Sequence, residues 1–334
     1  MVISKTPFRI SFFGGGTDYP VWYKEHGGAV LSTTIDKYCY ISCRYLPPFF
    51  EHKSRIVWSK IESVKNTEDI EHPSVRAVIK HLNIKDGLEV HHDADLPARS
   101  GLGASSSFTV GFLNALHALT GKSPTKKDLA LEAIHVEQNV MKENVGAQDQ
   151  AAAAFGGFNK IEFGPAHLAS VSPIAVSAKK LGLLQDHLML VFTGLARSAS
   201  EIAAEQIKNT KQKTEELNSM RQMVEEAGQI LNSSSDNLND FGRLLHESWL
   251  LKRGLSSKIT NATVDGIYDK AMKAGALGGK LLGAGGGGFM LFFADPEKHA
   301  HIKEKIGNFL NVPFRFENAG SQIIYNAPQS VYRS

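Results

Sequence analysis

From Leu96 to Ser107 the chain reads LPARSGLGASSS, and an apolar pattern of helical period begins directly after it. Small residues let a backbone wrap closely around an anion. The helix that follows aims unpaired N–H groups and its positive dipole end at the same point. Pro97, Ser100, Gly101, Leu102, Gly103, Ala104, Ser105, Ser106 and Ser107 therefore form a candidate phosphate-binding segment, with hydroxyls available to phosphate oxygens or a metal ion. The same letters also spell a Gly/Ser turn closed by a serine N-cap.

Other polar residues stand at comparable places. Arg197 immediately precedes Ser198-x-x-Glu201, a capping-box pattern. A guanidinium at a helix N-terminus is an anion receptor, for a nucleotide phosphate or for one carried by the substrate; a plain surface arginine is the alternative. Asp18 follows Gly14-Gly15-Gly16-Thr17 and precedes Tyr19-Pro20, so it is either a turn residue or a carboxylate that reads hydroxyls. Asp149 stands just ahead of four alanines, where a helix cap would stand, and Glu137 sits beside Val136 on a helix.

Two glycine patterns mislead. Gly121-Lys122-Ser123 ends like a P-loop, but the required earlier glycine is replaced by Leu116 inside a helix. Gly283-Ala284-Gly285-Gly286-Gly287-Gly288 fits the letters of the dinucleotide fingerprint, yet a strand, FMLFF, follows it where a helix is required. This argues against a dehydrogenase.

The positioning elements follow from period and punctuation. RISFF, AVLSTTI, YCYISCRYL and LEVHHDADL read as strands. Phe108, Phe112, Leu116 and Leu119 recur at helical spacing with Gly121 at the stop, and a second helix starts near Lys126. FGGFNKIEF closes this half, and Gly164-Pro165 opens a break. HLMLVFTG is a buried strand, followed by a polar helix from Ser198 to about Leu231 and helices over about 237–252 and 262–274. KLLGAGGGGFMLFF, a helix over about 298–309 and two short strands complete the chain. The result is an α+β protein of two lobes, with Lys280 expected to support the last glycine turn.

With 334 residues, 42% of them hydrophobic, the chain can bury the core of about two domains. A net charge of +3 is too balanced for a nucleic-acid surface. Two cysteines, Cys39 and Cys43, four apart on one strand face, are packing residues rather than a disulfide framework or a metal site. The thirteen histidines form no metal-binding pattern. There is no signal-peptide core at the N-terminus and no membrane-length apolar run, so a soluble, cytoplasmic protein without membrane partners is expected. A homodimer is left open.

PARSGLGASSS resembles the phosphate-binding loop P-x-x-x-G-L-G-S-S-A of the GHMP kinase superfamily. PFRISFFGGGTDYP is similar to its first motif and KLLGAGGGGFMLFF to its third, in the right order along nearly the whole chain. The G-G-G-T-D form and the A-Q-D-Q around Asp149 look most like the heptose 7-phosphate kinases of that superfamily, with a related glycine-glycine form in fucokinases. The loop departs from the pattern at Ala104, where serine is usual.

The resemblance implies a ribosomal-protein-S5-like, ATP-binding N-terminal lobe over 1–165 and a ferredoxin-like α/β C-terminal lobe over 186–334. It implies an ATP- and Mg²⁺-dependent sugar kinase. Asp149 is placed as the catalytic carboxylate, with Arg9 as its partner, and Ser105 and Glu137 as the Mg²⁺ ligands. Gly15, Gly16, Thr17, Asp18, Arg197, Gly285 and Gly286 are placed at the substrate. The substrate implied is D-glycero-D-manno-heptose 7-phosphate, taken to the 1,7-bisphosphate for nucleotide-activated heptose synthesis. The rivals are a kinase of fucose or another unphosphorylated sugar, and a silent sugar- and nucleotide-binding regulator.

Overall fold

A computed structural model describes residues 1–165, 167–195 and 199–327. Its largest unit is a nine-stranded sheet. Val2–Phe13 pairs antiparallel with Gly28–Tyr45, one long strand in which AVLSTTI and YCYISCRYL are fused. Leu88–Ala94, Ser54–Val57 and Ile61–Val64 extend the sheet on one side, with a single parallel pairing between Leu88–Ala94 and Ser54–Val57. Phe158–Gly164 and His167–Pro173 continue from the other half of the long strand.

The first strand alternates buried and half-buried residues up to Thr6, and from there on is wholly buried. The change comes just before a bulge between Pro7 and Phe8. A proline cannot donate to the ladder, and a bulge both accommodates it and re-aims the residues beyond. Arg9 lies just past this point. Helix Ala104–Leu119 packs across Val2–Phe13 and Gly28–Tyr45, beginning at Gly103 in the left-handed region (φ 76°). Lys126–His135 and Gln148–Phe155 pack together beside it.

The second sheet has four antiparallel strands in the order Leu310–Asn311, Leu188–Phe192, Phe289–Phe293, Gly278–Leu281. Helix Asn239–Arg253 packs on Gly278–Leu281, and Ala262–Lys273 on His299–Ile306. The α+β class is as expected. The polar helix expected from Ser198 to about Leu231 is divided: Ala199–Asn209 and Thr214–Asn232 are separated by a 3₁₀ turn at Thr210–Gln212. Ser198 itself lies outside the described residues.

The stretch 186–334 does not stay with the second sheet. Phe316–Glu317 pairs with Gly28–Tyr45, and Gln322–Asn326 pairs with Val2–Phe13 along its outer edge. The chain thus returns to the sheet in which it began. Phe12 marks the seam: its ring lies 5.6 Å from that of Phe158, 5.5 Å from Phe241 and 6.5 Å from Phe316. Truncating a fully buried aromatic residue costs about 3–5 kcal/mol. Phe12→Ala is therefore expected to lower the unfolding free energy by that amount in urea titrations, and a loss below about 1 kcal/mol would show that the seam is not part of the core.

Candidate active site

Arg9 is 3% exposed, and each of its three guanidinium nitrogens donates to a neighbour. Its Nε donates to Asp149 Oδ1 at 2.8 Å and its Nη2 to Asp149 Oδ2 at 2.7 Å, the two-pronged geometry that fixes a carboxylate in plane. Its Nη1 donates to the carbonyl of Gly101 at 2.7 Å, and its backbone N–H to that of Leu102 at 3.0 Å. One strand residue thereby joins the catalytic candidate on helix Gln148–Phe155 to the loop that opens helix Ala104–Leu119. The loop needs glycine at 101: φ is +79°, and a Cβ would lie 2.4 Å from the Leu282 carbonyl oxygen.

These groups line a cleft. Gly15, Gly16, Asp18 and Tyr19 form part of its wall, and Ser100, Gly101, Gly103, Ala104, Ser105 and Ser106 form another. Asn144–Gln150 closes a third side, and Ser200, Gln206, Lys252, Lys280, Gly283 and Ala284 face them. Asp149 keeps 24% of its side chain exposed, so its fixed carboxylate is open to a ligand. Asp18 is buried, and its Oδ1 accepts from Gly16 N–H at 3.0 Å. Burial, with Asp149 adding, pushes its carboxyl up to about 6. Gly146 permits this placement, because a Cβ there would stand 1.7 Å from Asp18 Oδ2.

Glu137 lies behind the loop wall, in a π-helical turn at Val136–Val140 that continues helix Lys126–His135. Ser106 Oγ donates to its Oε2 at 2.8 Å, and Gln150 Nε2 donates to the same oxygen. Oε1 is buried without a partner. Burial, chiefly, pushes this carboxyl up to about 7. Buried polar atoms are nearly always paired, so an open carboxylate oxygen beside the Ser106 hydroxyl suits a hard cation. No group of three or more His, Cys, Asp or Glu side chains gathers among the described residues. Mg²⁺ needs none, since it commonly takes one or two carboxylates together with substrate phosphates.

Several expected contacts are placed elsewhere. The Thr17 hydroxyl donates to the Gly14 and Ala29 carbonyls and accepts from Ala29 N–H, so it holds the turn. Pro97 is exposed and away from the cleft, Leu102 is core, and Ser107 Oγ donates to the Pro7 carbonyl across the bulge. Gly285 and Gly286 turn against Ile259, whose carbonyl accepts from Gly286 N–H at 2.8 Å. Ser105 lines the cleft as expected, but the hydroxyl that touches Glu137 is that of Ser106. Arg197 lies outside the described residues. Lys280 donates to the Phe12 carbonyl at 2.6 Å, not to the glycine turn. The turn is held instead by Lys252, which the sequence did not single out, through Leu281 O at 3.0 Å and Gly283 O at 2.5 Å.

The raised carboxyls have a measurable consequence. Asp18 holds its proton more tightly in the fold (about 6) than at the ordinary 3.8. Between those values the folded state carries the extra proton, so this contribution to stability falls as pH rises and is fully lost above about 6. The loss is on the order of 3 kcal/mol. In ligand-free protein Asp18→Asn should raise the melting temperature at pH 8, with the gain vanishing near pH 4. No gain at pH 8 would contradict the burial of this carboxylate.

Residues 72–157 match the GHMP kinases N terminal domain and residues 196–312 the GHMP kinases C terminal domain. A D-glycero-alpha-D-manno-heptose 7-phosphate kinase of Campylobacter jejuni is 32% identical over 314 residues, covering 90% of this chain and 91% of that one. A bifunctional fucokinase/GDP-fucose pyrophosphorylase of Arabidopsis thaliana is 26% identical over 90% of this chain, which spans 30% of that longer protein. Among solved structures, a D-glycero-D-manno-heptose 1-phosphate kinase of Bacteroides thetaiotaomicron superposes over the full length of both chains, with TM-score 0.78 and 24% identity. The chain belongs to the GHMP kinase family and is a phosphotransferase.

Proposed function

We propose that the protein transfers the γ-phosphoryl group of ATP to the C1 hydroxyl of D-glycero-D-manno-heptose 7-phosphate, giving the 1,7-bisphosphate, a step toward nucleotide-activated heptose. The observation that carries the chemistry is the Arg9–Asp149 pair set against the Gly/Ser loop at a helix N-terminus, both on one cleft. The choice of sugar is supported by the 32% identity to the Campylobacter jejuni heptose 7-phosphate kinase. A kinase of free fucose is the second reading, supported by the fucokinase relatives.

Phosphoryl transfer asks a protein for position and charge more than for bonds. The first-turn N–H groups of helix Ala104–Leu119 have no acceptors within the helix and meet the donor phosphates, with Ser105 beside them. Asp149 is fixed in place by the two-pronged bond from Arg9 and stands in the first turn of a helix. It orients the acceptor hydroxyl and takes its proton as the oxygen attacks the γ-phosphorus. Asp18, Gly15 and Gly16 bound the space for the sugar. Glu137, Ser105 and Ser106 are the residues that would hold Mg²⁺. When bound, the ion neutralises phosphate charge.

The test is ATP consumption over a panel of free and phosphorylated hexoses and heptoses. Heptose 7-phosphate should be used best, and equal use of free fucose or mannose would overturn the substrate assignment. Asp149→Asn should keep nucleotide binding and lower turnover at least about a hundredfold, the scale of a lost acid–base group. Near-normal turnover would remove Asp149 from the chemistry.

A further inference from the structure

The cleft holds three buried cations: Arg9, Lys252 and Lys280. Arg9 is matched by Asp149. Lys280 is anchored on the Phe12 carbonyl. Lys252 is 6% exposed, yet no carboxylate among the described residues pairs with it. Its ammonium donates to two backbone carbonyls, Leu281 and Gly283, and so retains one N–H of three. Gly283 in turn packs on Gly101 of the phosphate loop, where a Cβ would meet the Gly101 Cα at 2.5 Å. A buried ammonium held only by carbonyls is costly unless an anion completes its surroundings. On the proposed function, an anion is what this cleft binds.

We propose that Lys252, reaching the cleft from helix Asn239–Arg253, donates its free N–H to a non-bridging oxygen of the phosphoryl group in transfer. As the acceptor oxygen bonds to the γ-phosphorus, the bond to the β,γ-bridging oxygen breaks and its electron pair leaves with ADP. Asp149 takes the hydroxyl proton, and Lys252 stays protonated while it bears on the charge of the moving group. Lys252 rather than Lys280 has this role because its ammonium is held at Gly283, which packs on Gly101 of the loop, whereas that of Lys280 is held at the Phe12 carbonyl of the first strand. Burial, then Lys252 and Arg9, pushes the Lys280 ammonium well below its ordinary value. The proposal rests on phosphoryl transfer from ATP and not on which sugar accepts it.

The titration of Lys252 gives a signature. The groups facing it are Arg9, Asp18, Asp149 and Lys280; burial, then Arg9, pushes the lysine down to about 7. Above that pH the ligand-free protein carries it neutral, and binding a γ-phosphate must recover the proton. Affinity should then fall by up to about tenfold per pH unit.

The experiment is calorimetric titration of wild type, Lys252→Met and Lys252→Arg with ADP and with the β,γ-imido analogue of ATP, at pH 6 to 9 with Mg²⁺ present. Lys252→Met should lose at least tenfold in affinity for the imido analogue and less than threefold for ADP. Lys252→Arg should retain analogue binding and lose the part of the alkaline decline that wild type shows. The proposal is overturned if Lys252→Met weakens ADP and analogue equally, or neither, or if the alkaline decline is unchanged in Lys252→Arg. Should Lys252→Met not fold, the pH comparison of Lys252→Arg with wild type decides alone. None of these readings requires the sugar, so failure of the heptose assignment leaves them intact.

Discussion

The bond network of Arg9 is the constraint on which the site depends. A guanidinium buried in the middle of a strand must be fully paired, because an unpaired buried charge costs several kcal/mol. Here the pairing is divided between Asp149, brought by a helix, and the Gly101 carbonyl, brought by a loop. Each partner is far from Arg9 in sequence, so neither can shift without leaving the charge exposed to the core. The bulge after Pro7, the left-handed glycines of the loop and the alanine-rich helix behind Asp149 are the local means to that end. Phosphoryl transfer requires an aligned carboxylate beside a phosphate cradle, and the pairing rules of the core supply the alignment.

Charge in and behind the cleft is arranged against stability. Asp18 and Glu137 are buried to the point where both hold protons unusually tightly, and Lys252 is pushed the other way. All three departures have desolvation as their first cause, and opposite charges do not fully offset it. On the proposed function, groups that meet phosphates, a hydroxyl and a metal ion cannot also be saturated by each other. Sites of this kind are where folds give up stability for function.

Much of this was legible in the chain. The helical period after Ser107 and the small residues before it marked the candidate phosphate loop, and that loop and Asp149 line one cleft. What remained hidden depended on contacts between distant segments. That Ser106 rather than Ser105 touches Glu137 follows from the rotation of one helix against another, which no spacing reveals. Thr17 looked like a ligand contact because it lies within a motif, but its hydroxyl closes a turn onto Ala29. Lys252 stands beside Arg253 near a helix end, LLKRG, and reads as a surface lysine until the Gly278–Leu281 strand is laid over it. The last strands gave no signal of returning to the first sheet, since partners more than three hundred residues apart share no local pattern.

The central claim is that Arg9 and Asp149 act as one unit. Residues that do so lose activity non-additively, and a double-mutant cycle measures it. Turnover should be compared for wild type, Arg9→Lys, Asp149→Asn and the double variant, with melting curves confirming that each is folded. The account predicts that the double variant is no slower than the slower single one to within about threefold. Losses that multiply would contradict it, because they would mean that each residue works without the other.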